Sequence, residues 1–258
     1  DLPEGVDQRS PARHPDFLGP DDMVIKIEEL REATDYQVPI FVKMGATRVF
    51  DDVRLAAKAG ADVVVVDGME GGTGASVEIC QEHTGIPTLA AVCEARAALE
   101  DIGMFGEVQL VIAGGIRNGV DAAKAMALGA DAVYIGTAAL MALNCNKPLY
   151  VEDYQALGAE PYACHHCHTG LCPVGIATQD PELMQRLEID EASERVANLL
   201  SAMTSEIQIL ARACGKANVH DLDPEDLRAL SSEASMICGI PLAGTNRIFG
   251  GGPGWSEG

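Results

Sequence analysis

Basic side chains are scarce in this sequence: 18 Lys and Arg stand against 39 Asp and Glu over 258 residues, a formal charge of −21. Such a surface repels nucleic acid and anionic bilayers, so neither is expected as the main partner. A small anion held in a locally positive pocket is still compatible with that charge. Long apolar runs are lacking too. No stretch approaches the roughly 20 uninterrupted apolar residues of a spanning helix. The start Asp1-Leu2-Pro3-Glu4-Gly5 has neither the basic residues nor the apolar core of a signal peptide. A cytoplasmic protein without a membrane segment is the expectation. The 8 Cys are not spread as in a secreted disulfide framework. Three of them fall between Cys164 and Cys172, which points to a metal or redox site.

What is present is a repeating pattern. Short apolar runs at 38–44, 61–67, 87–93, 108–113 and 132–135 read as five strands. Ala-rich amphipathic segments at 50–59, 95–102 and 120–128 read as the helices between them, and Asp21-Asp22 announce an earlier helix. Near-continuous apolar strands alternating with helices predict an α/β fold with a parallel sheet covered on both faces. Repeats of this length suit a (β/α)8 TIM-type barrel, but a whole barrel has eight strands in about 250 residues. The expectation is therefore the C-terminal five βα units of a barrel over residues 1–140. An open five-stranded sheet is the alternative. A Cys-rich loop at 141–180 follows, then a helical region at 181–258. The latter includes a short helix opened by Pro224 and a Gly-rich tail, flexible or docked on a partner, around 250–254.

Four groups of residues on the strand ends could carry chemistry. Glu70-Gly71-Gly72-Thr73-Gly74-Ala75-Ser76 follows the second strand, and its glycines let backbone approach a flat ligand without a Cβ in the way. Gly114-Gly115-Ile116-Arg117 follows the fourth strand and leads into a helix; backbone N–H groups there can cradle an anion. Gly136-Thr137 ends the next strand. Two such turns, one βα unit apart, match the phosphate site formed after the last two strands of a barrel. Lys43 interrupts an apolar run at the carboxyl end of the first strand, where it needs a negative partner, either a flavin ring or a carboxylate.

The fifth group is Cys164-His165-His166-Cys167-His168-Thr169-Gly170-Leu171-Cys172-Pro173. Thiolates at these spacings, closed by Cys-Pro, suit an iron–sulfur cluster. Zinc held by Cys and His is the rival, given three His in the loop. Cys145 is a possible fourth ligand, whereas Cys80, Cys93, Cys214 and Cys238 read as core residues.

Together, Phe41-Val42-Lys43, the Gly-Gly-Thr-Gly-Ala-Ser loop, Gly114-Gly115, Gly136-Thr137 and Cys167-His168-x3-Cys172-Pro173-Val174-Gly175-Ile176-Ala177-Thr178-Gln179-Asp180 resemble the synthase domain of the glutamate synthase family. The likeness runs over about residues 3–230 and leans towards the N-methylglutamate synthase branch. It implies a barrel binding FMN beside an iron–sulfur cluster, with 3Fe-4S favoured and 4Fe-4S possible. Lys43 would then face the flavin, Glu70, Gly72, Thr73 and Gly74 would line it, and Gly114, Gly115, Gly136 and Thr137 would hold its phosphate. Cys164, Cys167 and Cys172, with Cys145 as a possible fourth, would bind the cluster.

The implied reaction is glutamate plus methylamine giving N-methylglutamate plus ammonia through an imine, or reduction of 2-iminoglutarate to glutamate. The implied partners are amidotransferase-like and reductase-like chains in a hetero-oligomer, with a glutamate-like small molecule as substrate. This sequence departs from the family pattern in having Ala113 where an acidic residue is common, and in an insertion at 149–162. The opening strands and a glutaminase domain are absent from it. An IMP dehydrogenase-like barrel and a non-catalytic electron-transfer subunit are the other function classes.

Overall fold

The computed structural model describes residues 14, 16–72, 78–161 and 163–251. Helix α1 (Pro20–Ala33) opens it where the acidic pair announced a start. Asp22 Oδ2 accepts from the backbone N–H of Leu18 at 2.7 Å and of Gly19 at 3.0 Å. Pro20 sits in the first turn, where its missing N–H has no partner to lose. Arg31, one turn from the end of α1, pairs with Asp62 at 2.9 Å, and Asp62 Oδ2 also accepts from Ile40 N at 2.7 Å. The helix is thereby pinned to the entry of the sheet.

Four strands follow: β1 (Phe41–Gly45), β2 (Val63–Asp67), β3 (Gln109–Ala113) and β4 (Ala132–Val133). All pair in parallel, and their spatial order is their chain order. Between them run α2 (Val49–Lys58), α3 (Glu78–His83), α4 (Thr88–Asp101) and α5 (Gly119–Ala127). Val64, Val66, Leu110 and Ile112 share one face of the sheet and pack with Val49, Val53 and Ala56 of α2 and Ala91, Val92, Ala95 and Leu99 of α4. Residues of the opposite parity, Val63, Val65 and Val111, make a separate apolar patch.

Parallel strands in strict sequence order, joined by crossovers of one hand, carry their helices on a single face. That is the construction of a (β/α) barrel, whereas a doubly wound sheet reverses its strand order and is covered on both faces. The chain therefore forms part of a TIM-type barrel. Among the described residues helices cover one face, not two as expected. The second face is apolar because it is the side that a barrel turns inward upon itself.

The strand count also needs correction. Residues 88–93, expected as a strand, are the first half of α4, leaving four strands among the described residues. Thr88, Ala91, Val92, Cys93, Ala95, Ala98 and Leu99 are all buried, so α4 is wrapped on several sides. A helix buried in this way shows no polar stripe, and its opening run reads like a buried strand.

Beyond β4 come α6 (Thr137–Ala142), α7 (Val151–Ala156), the cysteine loop, α8 (Pro181–Met184), α9 (Ile189–Ala213) and α10 (Ser232–Cys238). Met203 and Ile207 of α9 pack on Ile116 and Ala122, so α9 lies across the start of α5. Gly119 marks the closest approach, since a Cβ there would overlap the carbonyl oxygen of Met203. The short helix expected at Pro224 is a single 3-10 turn, Pro224–Asp226, capped by Asp223 Oδ1 on Glu225 N at 2.8 Å. The start of the Gly-rich tail is docked: Phe249 N donates to Ser235 Oγ at 3.1 Å, and Gly250 abuts Met236. No helix among the described residues is long and apolar enough to cross a membrane.

Candidate functional site

The carboxyl ends of β1 and β2 meet in register, with Gly45 beside Asp67. Lys43 lies one pleat back on the same face, so its side chain reaches diagonally to Asp67, and Nζ–Oδ2 is 2.9 Å. The Lys43 side chain is 53% exposed and that of Asp67 is 24% exposed. Lys43 is thus a held cation on the inward face, and the negative partner it needed is supplied by the protein. Sequence reasoning missed Asp67, although a carboxylate ending a run of four valines at a strand's carboxyl end was the available signal.

The loop after β2 begins with Gly68 and Gly71, both pressed against neighbours. A Cβ on Gly68 would overlap Thr88 Oγ1, and one on Gly71 would overlap Asp67 Oδ1. Gly72 takes φ of +119°, a conformation open mainly to glycine. Thr73 and Gly74, with Ala75 and Ser76, lie outside the described residues. A cavity of about 170 Å³ opens here, lined by Gly45, Asp67, Gly68, Gly71 and Gly72 among others.

Glu70 points back toward α4. Its Oε2 accepts from Thr88 N at 2.9 Å and from Thr88 Oγ1 at 2.6 Å. This places a carboxylate on the first turn of α4, where the helix dipole favours it. Thr88 Oγ1 also lies 2.9 Å from the carbonyl oxygen of Gly114. Thr88 therefore joins the loop after β2 to the turn after β3, a role that sequence reasoning did not foresee.

In that turn Gly114 has φ of +97° and Gly115 +68°. Among the described residues, the N–H groups of Gly114 and Gly115 meet no acceptor. A cavity of about 440 Å³ opens beside them, with Glu70 and Thr88 on one side and Arg117 and Lys124 on the other. The N-terminus of α5 is not part of this cradle. Gly119 N donates to Glu206 Oε2 of α9 at 2.6 Å, and Asp121 N donates to Asn118 Oδ1 at 2.9 Å. The protein's own side chains thus fill the helix start that the sequence offered to an anion. Gly136 differs from the other turn glycines: a Cβ there would meet no described atom within 4 Å, and the chain leads directly into exposed Thr137.

The insertion at 149–162 does not separate Cys145 from the cysteine loop. It folds back as α7, and the buried Tyr154 hydroxyl donates to the Cys145 carbonyl oxygen. Tyr154, Cys172 and Val174 form one buried cluster against which Cys164 packs. Burial pushes the Cys145 thiol up to about 11, and Cys167, Cys172 and Cys164 add to the rise. All four thiols are therefore neighbours. Burial raises Cys164 as well, with Cys167 and Cys172 adding to it against a lowering backbone hydrogen bond at His166.

Among the described residues no three Cys, His, Asp or Glu side chains reach the spacing of a single bound ion. A tetrahedral zinc with Zn–S near 2.3 Å draws its sulfurs to roughly 4 Å from one another. Thiolates bound to separate irons of a cluster stand wider apart.

The site is thus a partial parallel barrel with glycine turns at its strand ends, followed by a loop of three cysteines with Cys145 near them. The conserved region of glutamate synthase matches residues 1–217. The chain belongs to the glutamate synthase family. It is 56% identical over 251 residues to a glutamate synthase large subunit-like protein of Rhizobium meliloti, covering 97% of this chain and 57% of that protein. It is 40% identical over 248 residues to an archaeal glutamate synthase (NADPH) of Methanocaldococcus jannaschii, covering 94% and 46%. Against an archaeal-type glutamate synthase (NADPH) of Thermotoga neapolitana it is 42% identical over 250 residues, covering 94% and 46%. The chain spans about half the length of these relatives.

Proposed function

We propose that this chain is the FMN- and iron–sulfur-binding part of a glutamate-synthase-type oxidoreductase, acting on the carbon–nitrogen bond of a glutamate-like substrate. The observation that carries the reading is the pair of glycine turns after β3 and β4, with the amides of Gly114 and Gly115 open to a ligand. Free amides at successive barrel turns suit a phosphate monoester. The donor set suits the cluster: three soft thiols, Cys145, Cys164 and Cys172, lie around Tyr154, and a fourth, Cys167, is exposed near them. Bound FMN would supply hydride chemistry and the cluster single-electron transfer.

The chain's own residues prepare the site. Gly114, Gly115, Gly136 and Thr137 would grip the phosphate. Gly72, Thr73 and Gly74 would let the ring lie close to backbone, while Glu70 and Thr88 hold the two loops together. Lys43, steadied by Asp67, presents a positive charge on the inward face, suited to a substrate carboxylate or the electron-rich edge of the flavin.

The amine transferred is methylamine in our reading, which makes the enzyme an N-methylglutamate synthase. A relative at 56% identity is named glutamate synthase large subunit-like, as is one at 30%, whereas relatives named archaeal or archaeal-type glutamate synthase share 38–42%. The gap between 56% and 38–42% supports a branch separate from the archaeal-type enzymes. The names of the archaeal relatives favour the second reading, formation of glutamate from 2-iminoglutarate. In both, the remaining barrel strands and the amidotransferase-like and reductase-like parts lie elsewhere on the polypeptide or on partner chains, in the cytoplasm. The test is an assay of the native assembly with two substrate pairs. Formation of N-methylglutamate from glutamate and methylamine supports the first reading. Glutamate formed only from 2-oxoglutarate and ammonia, with a reductant, supports the second, and neither product overturns both.

A further inference from the structure

Two cysteines outside the cluster loop face one another. Cys93 sits on the second turn of α4 and is only 5% exposed; Cys238 ends α10 and is half-buried. Both thiols belong to the core beneath β2 and β3, where α10 packs on α4, and each is the strongest influence on the other's protonation. A buried polar peg ties α10 to the segment that follows it. Ser235 is fully buried and its Oγ donates to the Ile240 carbonyl oxygen at 2.7 Å, while accepting from Phe249 N at 3.1 Å. α10 and the segment after it are thereby braced as one unit, and α10 packs on α4.

We propose that Cys93 and Cys238 are a dithiol that a peroxide converts to a reversible disulfide, stapling α10 to α4. The Cys238 thiolate attacks the hydroxyl oxygen of the peroxide, the O–O bond breaks to give a sulfenic acid, and the other oxygen leaves and is protonated to water or an alcohol. Cys93 sulfur then attacks the sulfenic sulfur, loses its proton and expels water, so two thiols and one peroxide give one disulfide. Cys238 is the attacking partner because it is the better exposed and because the neighbouring Cys93 favours its thiolate.

The staple would act on the strand ends through α4. Thr88, at the start of that helix, bonds Glu70 and the Gly114 carbonyl, and Cys93 lies five residues further along. Fixing the second turn of α4 to α10 restrains the helix whose first turn holds the two loops together. The groups around the pair are few. Arg96 lowers and Glu94 raises the Cys93 thiol, and neither is first among its causes.

The test is peptide mapping of the native full-length protein after treatment with hydrogen peroxide, without reduction. A linked peptide containing Cys93 and Cys238, lighter by two hydrogens and separated by dithiothreitol, is the expected product. In Cys93→Ser the same treatment should leave Cys238 as a sulfenic or sulfinic acid. If Cys93→Ser does not fold, the mapping of the unsubstituted protein decides alone. Cys93 and Cys238 both still alkylated as free thiols, while the cluster-loop cysteines are already oxidised, overturns the proposal. So does Cys238 linked instead to another cysteine.

Discussion

Replacing Gly114 by Ala tests how the phosphate turn is built. At φ of +97° an L side chain is strained, which costs about 1–2 kcal/mol. The new Cβ would also stand 2.8 Å from Thr88 Oγ1, 2.9 Å from the Gly68 carbonyl oxygen and 3.0 Å from Gly68 N. Two of these atoms are backbone and the third is tied to Glu70, so relief requires the turn to move, at a cost of roughly 1–3 kcal/mol. The two costs together centre at about 3.5 kcal/mol. For a chain of this size, each kcal/mol lowers Tm by roughly 2–4 °C, so a fall of about 7–14 °C is expected. Circular dichroism of the full chain, unfolded by heat, reads it. Gly136→Ala is the companion, because φ there is −124° and nothing lies within 4 Å. It should melt within about 2 °C of the parent, since surface changes of this kind stay near 0.5 kcal/mol, and it should still weaken FMN binding by blocking close approach. A Gly114→Ala protein as stable as its parent, or equal losses in the two variants, refutes the reasoning.

Three further outcomes are expected. Thr88→Val deletes the hydroxyl that joins Glu70 to Gly114, so Tm should fall by a few degrees, for about 1 kcal/mol, and equilibrium dialysis should show weaker retention of FMN. Cys145→Ser should lower the iron and sulfide content of the native protein, whereas Cys214→Ser, exposed at the end of α9, should leave both unchanged; equal contents in the two variants would restrict the cluster to the other three thiols. Burial raises the Asp62 carboxyl, but Arg31 and the Ile40 N–H together outweigh it and hold it below the usual range. Its stabilisation is therefore complete above the unfolded value of about 3.9 and drains away as pH falls through the lower folded value. Asp62→Asn should flatten the loss of stability below about pH 4, which urea titrations at stepped pH will show.

Much of the barrel was legible because its strands are bounded by glycines and its helices α2 and α5 keep a polar side. Residues 63–66, four valines before Asp67, could hardly be misread. The start of α4 was not legible, because burial on several sides removes the periodicity that separates a helix from a strand. The sites divide in the same way. Glycine turns and closely spaced cysteines are local in sequence and were visible. The Lys43–Asp67 pair, the Thr88 link and Glu206 at the start of α5 are contacts across 24, 18 to 26, and 87 positions. Strand register and helix crossing create them, and no spacing rule announces them. Cys145 reaches the loop only because the insertion folds into α7, which sequence alone presented as a spacer.

The central claim is that one chain carries both a flavin phosphate at its glycine turns and a cluster on its thiol loop. The most direct measurement is the content of FMN, iron and acid-labile sulfide in the native protein purified without oxygen. One FMN per chain is expected, together with three or four irons and about as many sulfides. A colourless protein, or one whose thiols hold zinc without sulfide, contradicts the claim.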